Sequence, residues 1–383
     1  MTKALLVNSE SQQVDIDHMR AALQIAGRGL GNVWPNPAVG CVLVREDLSG
    51  NVVGRGWTQP TGRPHAETVA IKNAGKLCRG ATAYVTLEPC AHEGETPPCA
   101  EQLIDAGISK IFVATIDPDE RVSGAGIARL RSSGISVIVG LLETEARQLN
   151  EGFFHRVEND RPYVIMKLAT TMDSKITAQN GESQWITGEQ ARRRGHLLRA
   201  RCDAIITGVG TVIADNPSMT CRLPGLERCS PIRIILDSHL RTPVAAKIVE
   251  HSHRFPTWII TRANQPSSRA DELISNGCNI IEAEIDNKGL LDIAGICRII
   301  ADKGVTRLLV EGGSKLTTSF FKTGLVDELH WFRAPKLLGS GGGEAIGEMN
   351  INNLKDALLF DRTTVRSIDK DSGDIEEIFR RRK

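Results

Sequence analysis

Apolar positions along the chain switch repeatedly between a helical and a strand period. Residues 14–27 (VDIDHMRAALQIAG) carry Met19, Ala22, Leu23 and Ala26 at helical spacing, with Gly27 as a stop. The turn-rich GLGNVWPNP leads into a strand at 38–45 (AVGCVLVR), joined through Gly50 and Asn51 to a second strand, NVVGRGW. A helix at 65–75, a strand at 81–87, a helix at 98–107 and a strand at 110–116 follow, then a helix at 124–133 and a strand at 135–140. The charged, helical ETEARQLNEGFFHRVENDRP ends in a proline, which predicts a domain boundary near Asp160. The pattern then restarts with apolar strands at 163–169, 203–208, 231–237, 257–262, 278–283, 307–312 and 328–335. Helices such as EQARRRGHLLRAR fill most gaps, so the reading is two α/β domains, 1–160 and 161–383, with helices on both sheet faces.

Composition narrows the function classes. The 383 residues include 47 basic and 46 acidic ones, a net charge of +1, which disfavours a protein that holds nucleic acid through bulk charge. No apolar run reaches the roughly eighteen residues of a membrane span, and the start lacks the apolar stretch of a signal peptide. Nine scattered cysteines make a poor disulfide framework and fit a reducing compartment. The expectation is a cytoplasmic protein without membrane or nucleic-acid partners.

His65-Ala66-Glu67, followed by Pro89-Cys90 and Pro98-Cys99, is the most informative constellation. One imidazole and two thiolates are three of the four donors of a tetrahedral zinc, with the fourth position left for water. Bound zinc lowers the pKa of water towards about 7 and leaves a proton to be carried, for which Glu67 is suited. Residues two apart on a regular helix diverge by roughly 200°, so His65 and Glu67 converge only where a helix begins. Gly62-Arg63-Pro64 supplies a stop just before them. Cys99 follows Pro97-Pro98 and so also opens a helix, where the macrodipole favours a thiolate. Alone, an H-x-E triplet reads as a solvated helix start and a P-C pair as a buried thiol. In this order they match the zinc deaminases. A structural zinc closed by His92 is the competing reading, and it leaves Glu67 without a purpose.

The order resembles the nucleoside and nucleobase deaminases, with one difference. Their cysteines usually stand in P-C-x-x-C, whereas eight residues, Ala91 to Pro98, separate Cys90 and Cys99 here. That insert is similar to the deaminase half of the bifunctional riboflavin-biosynthesis deaminase/reductases. The resemblance implies a cytidine-deaminase-like three-layer α/β/α domain acting on 2,5-diamino-6-ribosylamino-4(3H)-pyrimidinone 5′-phosphate. It places a pyrimidine contact on Asn36, within Asn-Pro-Ala-Val-Gly, and a ribose-phosphate contact on His92. Glu95 stands where the family commonly has a basic residue. A carboxylate cannot grip a phosphate, so His92, Arg63 or Lys76 is the expected substitute.

The second half has no G-x-G-x-x-G after a strand. It has strands that run into glycine turns: IITGVGTVIADNP, and LLVEGGSKLTTSFF, in which Glu311 ends a strand and Ser314 is suited to cap the next helix. Backbone N–H groups at such a helix start suit a pyrophosphate. With RPYVIMKLATTMDSKITA, GESQWIT, PIRIILD and APKLLG, these segments look like the reductase half of the same family, in the expected order. The resemblance implies a dihydrofolate-reductase-like α/β domain that uses NADPH to reduce 5-amino-6-(5-phosphoribosylamino)uracil. Departures are Ser174 for a turn glycine and Met219 for a leucine.

Cofactor contacts carry over to Ala169, Trp185, Thr211, Asp215, Ser238 and Gly313. Substrate contacts carry over to Ser183, Arg199, Met219, Arg222 and Glu311. Arg199 and Arg222 have the fork geometry for bidentate phosphate binding. No residue of this half stands out as an acid or base for the hydride step, and the preference for NADPH over NADH rests on the resemblance alone. Homo-oligomerisation is expected, as for most such enzymes. Two competing hypotheses are a nucleic-acid base deaminase and a zinc-stapled, non-enzymatic nucleotide sensor.

Overall fold

The computed structural model describes residues 2–48, 50–92, 97–120 and 123–382. It separates into two compact units, Met1–Asn159 and Asp160–Lys383.

The first unit begins with α1 (Thr2–Ala26), longer than the 14–27 expected from periodicity. Then come β1 (Gly40–Arg45), β2 (Asn51–Trp57), α2 (Ala66–Ala74), β3 (Thr82–Val85) and α3 (Cys99–Asp105). The unit ends with β4 (Lys110–Val113), α4 (Ala125–Ser132), β5 (Ser136–Val139), α5 (Glu143–Leu149) and α6 (Glu151–Asn159). The five strands lie in the order β2-β1-β3-β4-β5, antiparallel on the β1–β2 and β1–β3 sides and parallel from β3 to β5.

Alternation along β1 sorts its side chains to two cores. Cys41 and Leu43 join one cluster with Ala66, Ala70 and Leu103, while Val42 and Val44 join another with Met19, Ala22 and Phe112. Helices therefore cover both faces, which is the three-layer arrangement.

The second unit starts with β6 (Tyr163–Thr171), β7 (Lys175–Thr177), α7 (Glu189–Ala200), β8 (Ala204–Gly208) and α8 (Val209–Asp215). Next are β9 (Ile232–Leu236), α9 (Lys247–Glu250), β10 (Thr257–Thr261), α10 (Ser267–Ser275) and β11 (Cys278–Glu282). They are followed by α11 (Ile293–Asp302), β12 (Arg307–Val310), α12 (Ser314–Thr323) and β13 (Glu328–Ala334). A short β14 (Gly343–Glu344) pairs with β7, and β15 (Phe360–Ser367) and β16 (Ile375–Arg381) end the chain.

The main sheet has nine strands in the order β11-β10-β9-β8-β12-β6-β13-β16-β15. It is parallel from β11 to β13 and antiparallel through β16 and β15. Strand order reverses around β12 and β6, and in open α/β sheets ligands bind at the carboxyl ends of strands at such a switch point. Sequence reading did not foresee the β15–β16 pair, because β16 carries Glu376 and Glu377 at positions that turn out to be buried.

Candidate active sites

In the first unit the close approach of α2 to β2 places the site. A Cβ on Gly56 would lie 2.1 Å from the Ala66 carbonyl oxygen, and one on Gly54 would lie 2.4 Å from that of Ala70. Only glycine lets the helix start sit this low on the strand. His65 is the N-cap of α2, with extended backbone, and Glu67 lies in its first turn. The two side chains converge because one of them stands outside the helix.

Cys90 follows β3 in a loop tied down by Glu88. The buried Glu88 carboxylate accepts from the backbone N–H groups of Gly124 (2.9 Å), Gly126 (3.0 Å), Ile127 (3.2 Å) and Asp117 (3.3 Å). It thereby binds the start of α4 to the Cys90 loop. Cys99 is the first residue of α3, and its N–H donates to Cys90 Sγ at 3.4 Å. Thr68 donates to Gln102 at 2.9 Å and ties α2 to α3 near the site.

These elements bring His65, Cys90 and Cys99 together with their donor atoms all within 4.8 Å of one another. His65 Nδ1 is 3.2 Å from Cys99 Sγ and 3.8 Å from Cys90 Sγ. A tetrahedral zinc with ordinary bond lengths separates its nitrogen and sulfur ligands by about 3.5 Å, so the trio fits the ion. No fourth protein donor joins the group among the described residues.

Hydrogen bonding from Cys99 and His65 brings the Cys90 thiol down to about 4, and the same contact pushes Cys99 up. Burial lifts the Glu67 carboxyl to about 6. Asn36 sits against Gly62, where a Cβ would fall 1.9 Å from its amide nitrogen and where φ is +88°. His92 is exposed, and Glu95 lies outside the described residues.

The second unit has a cleft of about 1550 Å³ at the carboxyl ends of β6, β8, β9 and β12. Ala169, Ser183, Trp185, Arg199, Thr211, Asp215, Met219, Arg222, Ser238, Glu311 and Gly313 all line it. Two helices open onto it without a side-chain cap: α8, with Gly208 as N-cap, and α12, with Gly313 as N-cap. Ser314, expected to cap α12, is its first helical residue instead. The N–H groups of these first turns have no intrahelical acceptor.

Arg199 departs from expectation. Its Nε and Nη2 donate to the two Glu311 oxygens at 2.8 and 2.9 Å, and Nη1 donates to the Thr220 carbonyl at 3.1 Å. The fork intended for phosphate is therefore occupied, and Arg222 is the exposed arginine beside it. Burial alone would raise the Glu311 carboxyl, but Arg199 and Lys167 hold it down at about 2.

Lys167, which sequence reading passed over, lines the cleft with Nζ 3.6 Å from Glu311. Its signal was a cation inside the apolar strand YVIMKLA, at a position on the same face as Ala169. Ser174 takes the place of the family's glycine at a φ of +63°, and Met219 is also held at positive φ. Both are side chains kept in a left-handed conformation beside the cleft or its flanking turn.

Comparison with known proteins covers both units. Residues 12–115 match the model for the cytidine and deoxycytidylate deaminase zinc-binding region, and residues 162–372 match that for the RibD C-terminal domain. The riboflavin biosynthesis protein RibD of Aquifex aeolicus is 39% identical over 360 residues, covering 94% of this chain and 97% of its own. The chain belongs to the RibD family. Among solved RibD structures, that of Acinetobacter baumannii superposes with a TM-score of 0.86 at 34% identity, covering 97% of this chain and 100% of its own. A Thermotoga maritima structure described as a diaminohydroxyphosphoribosylaminopyrimidine deaminase/5-amino-6-(5-phosphoribosylamino)uracil reductase gives 0.83 at 32%, with the same coverage. As a member of the RibD family the chain is a bifunctional deaminase and reductase of riboflavin biosynthesis. It joins a cytidine-deaminase-like, zinc-binding unit to a RibD C-terminal, reductase unit.

Proposed function

We propose that the first unit hydrolyses the 2-amino group of 2,5-diamino-6-ribosylamino-4(3H)-pyrimidinone 5′-phosphate. The second then reduces the ribosyl group of the product, 5-amino-6-(5-phosphoribosylamino)uracil, with NADPH. The observation that carries this reading is the convergence of His65, Cys90 and Cys99 beside a buried Glu67, in one chain with a cleft onto which two uncapped helices open.

His65, Cys90 and Cys99 would hold a zinc ion, which would supply the Lewis acidity that lowers the pKa of water. Glu67 takes the proton of the attacking water, delivers a proton to the ring nitrogen, and passes one to the departing ammonia. Water supplies the new oxygen at C2 as the C2–N bond breaks. Asn36, packed against Gly62, contacts the pyrimidine, and the exposed His92 contacts the ribose phosphate.

In the second unit the first turns of α8 and α12 hold the cofactor pyrophosphate, with Ala169, Trp185, Thr211, Asp215, Ser238 and Gly313 as further contacts. NADPH held there would supply the hydride that reduces C1′ of the ribosyl group. Lys167 donates a proton to the ring oxygen as its bond to C1′ opens, leaving a ribityl hydroxyl, and Glu311 keeps that ammonium in place. Ser183, Met219 and Arg222 bind the remainder of the substrate, Arg222 as the phosphate grip. Arg199 acts through Glu311.

Nine free cysteines support a cytoplasmic location, and assembly as a homo-oligomer is consistent with exposed apolar side chains such as Leu354 and Leu337. No described helix is long and apolar enough to cross a membrane. The test is simultaneous measurement of ammonia release and NADPH oxidation on the diaminopyrimidine phosphate. Glu67→Gln is expected to cut ammonia release by roughly 10²–10⁴-fold while zinc content stays unchanged. Retained ammonia release in that variant would favour a zinc-stapled binding protein.

A further inference from the structure

We infer that Arg233 is a positioning residue of the second unit: with Arg199 it grips the two peptide carbonyls that flank Met219, and this double hold sets the affinity of the cleft for its pyrimidine substrate. The inference rests on the proposed roles of Met219 and Arg222 as substrate contacts.

Arg233 is the one charge in β9, an otherwise apolar strand of sequence Ile-Arg-Ile-Ile-Leu, and it is fully buried. A buried cation is unfavourable unless it is paired. The titratable group beside this one is the Cys278 thiol rather than a carboxylate, and burial pushes the guanidinium down to about 10. Its Nε has no hydrogen-bond partner among the described residues. Packing alone would be served better by an aliphatic side chain, so the role of this arginine lies in what its other two nitrogens hold.

Nη2 donates to the Phe255 carbonyl and to Thr257 Oγ1, both at 2.6 Å, at the start of β10. Thr257 Oγ1 in turn donates to the Ile248 carbonyl at 3.1 Å, which fixes this part of the fork to the frame. Nη1 donates at 3.3 Å to the Ser218 carbonyl, on the loop between α8 and β9 that walls the cleft. Arg199 repeats the arrangement two residues further on. Its Nε and Nη2 are fixed to Glu311, and its Nη1 holds the Thr220 carbonyl at 3.1 Å.

Met219 stands between these two carbonyls with a φ of +56°, a conformation that side chains other than glycine rarely adopt. The residue lines the cleft, yet it is buried and packs in the core cluster with Val212 and Ile235. Glycine would take this conformation without strain but would leave that packing empty. The two arginines instead hold a full side chain in the left-handed turn. The peptides that follow are also pinned, with the Cys221 N–H donating to Ser230 Oγ at 3.0 Å and the Arg222 N–H to His196 Nδ1 at 3.3 Å. Releasing the Ser218 carbonyl frees the peptide before Met219 to relax towards negative φ, which shifts Met219 in the cleft wall.

The test is calorimetric binding of 5-amino-6-(5-phosphoribosylamino)uracil to the full-length protein, together with KM and kcat for its reduction with NADPH. Arg233→Met is expected to weaken substrate binding and raise KM by roughly 10-fold, with kcat changed less, as loss of uniform binding does. Ammonia release and NADP⁺ affinity are expected to stay at wild-type values, which shows both units folded. Arg233→Lys keeps the buried charge should Arg233→Met not fold. A single ammonium cannot reproduce a fork that joins Ser218 to the start of β10, so a smaller rise in KM is expected. Met219→Gly takes the left-handed conformation freely, so adding Arg233→Lys to it should leave KM where Met219→Gly alone puts it. Wild-type substrate affinity in Arg233→Lys, or the same rise in KM with methionine or glycine at 219, would overturn the hold on Met219. A fall in kcat at constant KM, or an equal loss of NADP⁺ and pyrimidine, would reduce Arg233 to a structural residue and overturn it as well. A wild type that binds NADP⁺ but not the pyrimidine would instead sink the reading of the cleft on which the inference rests.

Discussion

Three nitrogens of Arg199 are engaged inside the second unit, two on Glu311 and one on the Thr220 carbonyl. The pair is buried, with side-chain exposures of 15% and 11%, so neither charge can exchange its partner for water. Removing one member strands the other, which typically costs about 3–5 kcal/mol. Arg199→Ala is therefore expected to destabilise the second unit by that amount in denaturant unfolding, and to raise the Glu311 carboxyl from its depressed value. A loss under about 1 kcal/mol would show that Lys167, 3.6 Å away, suffices as the counter-charge. Glu67 presents the opposite case, a buried carboxyl with its acidity weakened by burial rather than strengthened by a cation. Within one chain, cations hold the Glu311 carboxyl down while burial lifts that of Glu67.

Elements carry these residues to their places through contacts that tolerate no extra atom. The Gly56→Ala substitution would drive a methyl to within 2.1 Å of the Ala66 carbonyl oxygen, at the residue between His65 and Glu67. Lifting the start of α2 from β2 is expected to cost about 1–3 kcal/mol and to weaken zinc retention. Metal content after dialysis against a weak chelator measures the second effect, and unchanged retention would separate helix seating from ligand geometry.

The C-terminal strand pair is held by a different device. His330 is bonded to Glu328 at 2.7 Å and Glu376 at 3.1 Å, while Arg194 and Arg366 reach Glu376 from other elements. Burial opposes ionisation of Glu328, but His330 and Arg307 hold it down at about 2, as Arg199 holds Glu311.

Carboxylates with depressed values stabilise the fold fully above their unfolded pKa, near 4.5, and lose that contribution as pH falls towards 2. Each of the two is worth roughly 3 kcal/mol on that basis. His330 is shifted upward, so its contribution is present below 6.5 and fades as pH rises through the raised value. Unfolding midpoints of the second unit are expected to drop steeply between pH 4.5 and 2 and only mildly on the alkaline side. A flat profile below pH 4.5 would contradict the ionised state of both carboxylates.

At the scale of the whole molecule, two chemistries with unlike requirements occupy separate compact units. The candidate metal ligands all fall in 1–159, and the cleft residues all fall in 160–383. Chelation is accordingly expected to abolish ammonia release while leaving NADPH oxidation on pre-deaminated substrate within about twofold of the untreated enzyme. Loss of both together would mean that the second unit depends on the metal of the first.

Sequence alone determined the α/β alternation and singled out His65, Glu67, Cys90 and Cys99. Each is written in local signals: periodicity within one element, a proline before a helix start, a histidine and a glutamate at a spacing that only a helix terminus reconciles. The order of motifs then pointed to the family, even though no single motif was specific. Three features were decided only by tertiary structure: the Arg199–Glu311 pair, the position of Lys167 in the cleft and the β15–β16 strands. Each depends on which partner a charged side chain meets across the fold. Arg199 and Glu311 are 112 residues apart, and Glu376 and Glu377 look like solvent-facing residues until their arginines arrive from elsewhere. A charge reads as exposed in a sequence because its desolvation can be offset only by a partner that the linear pattern does not name.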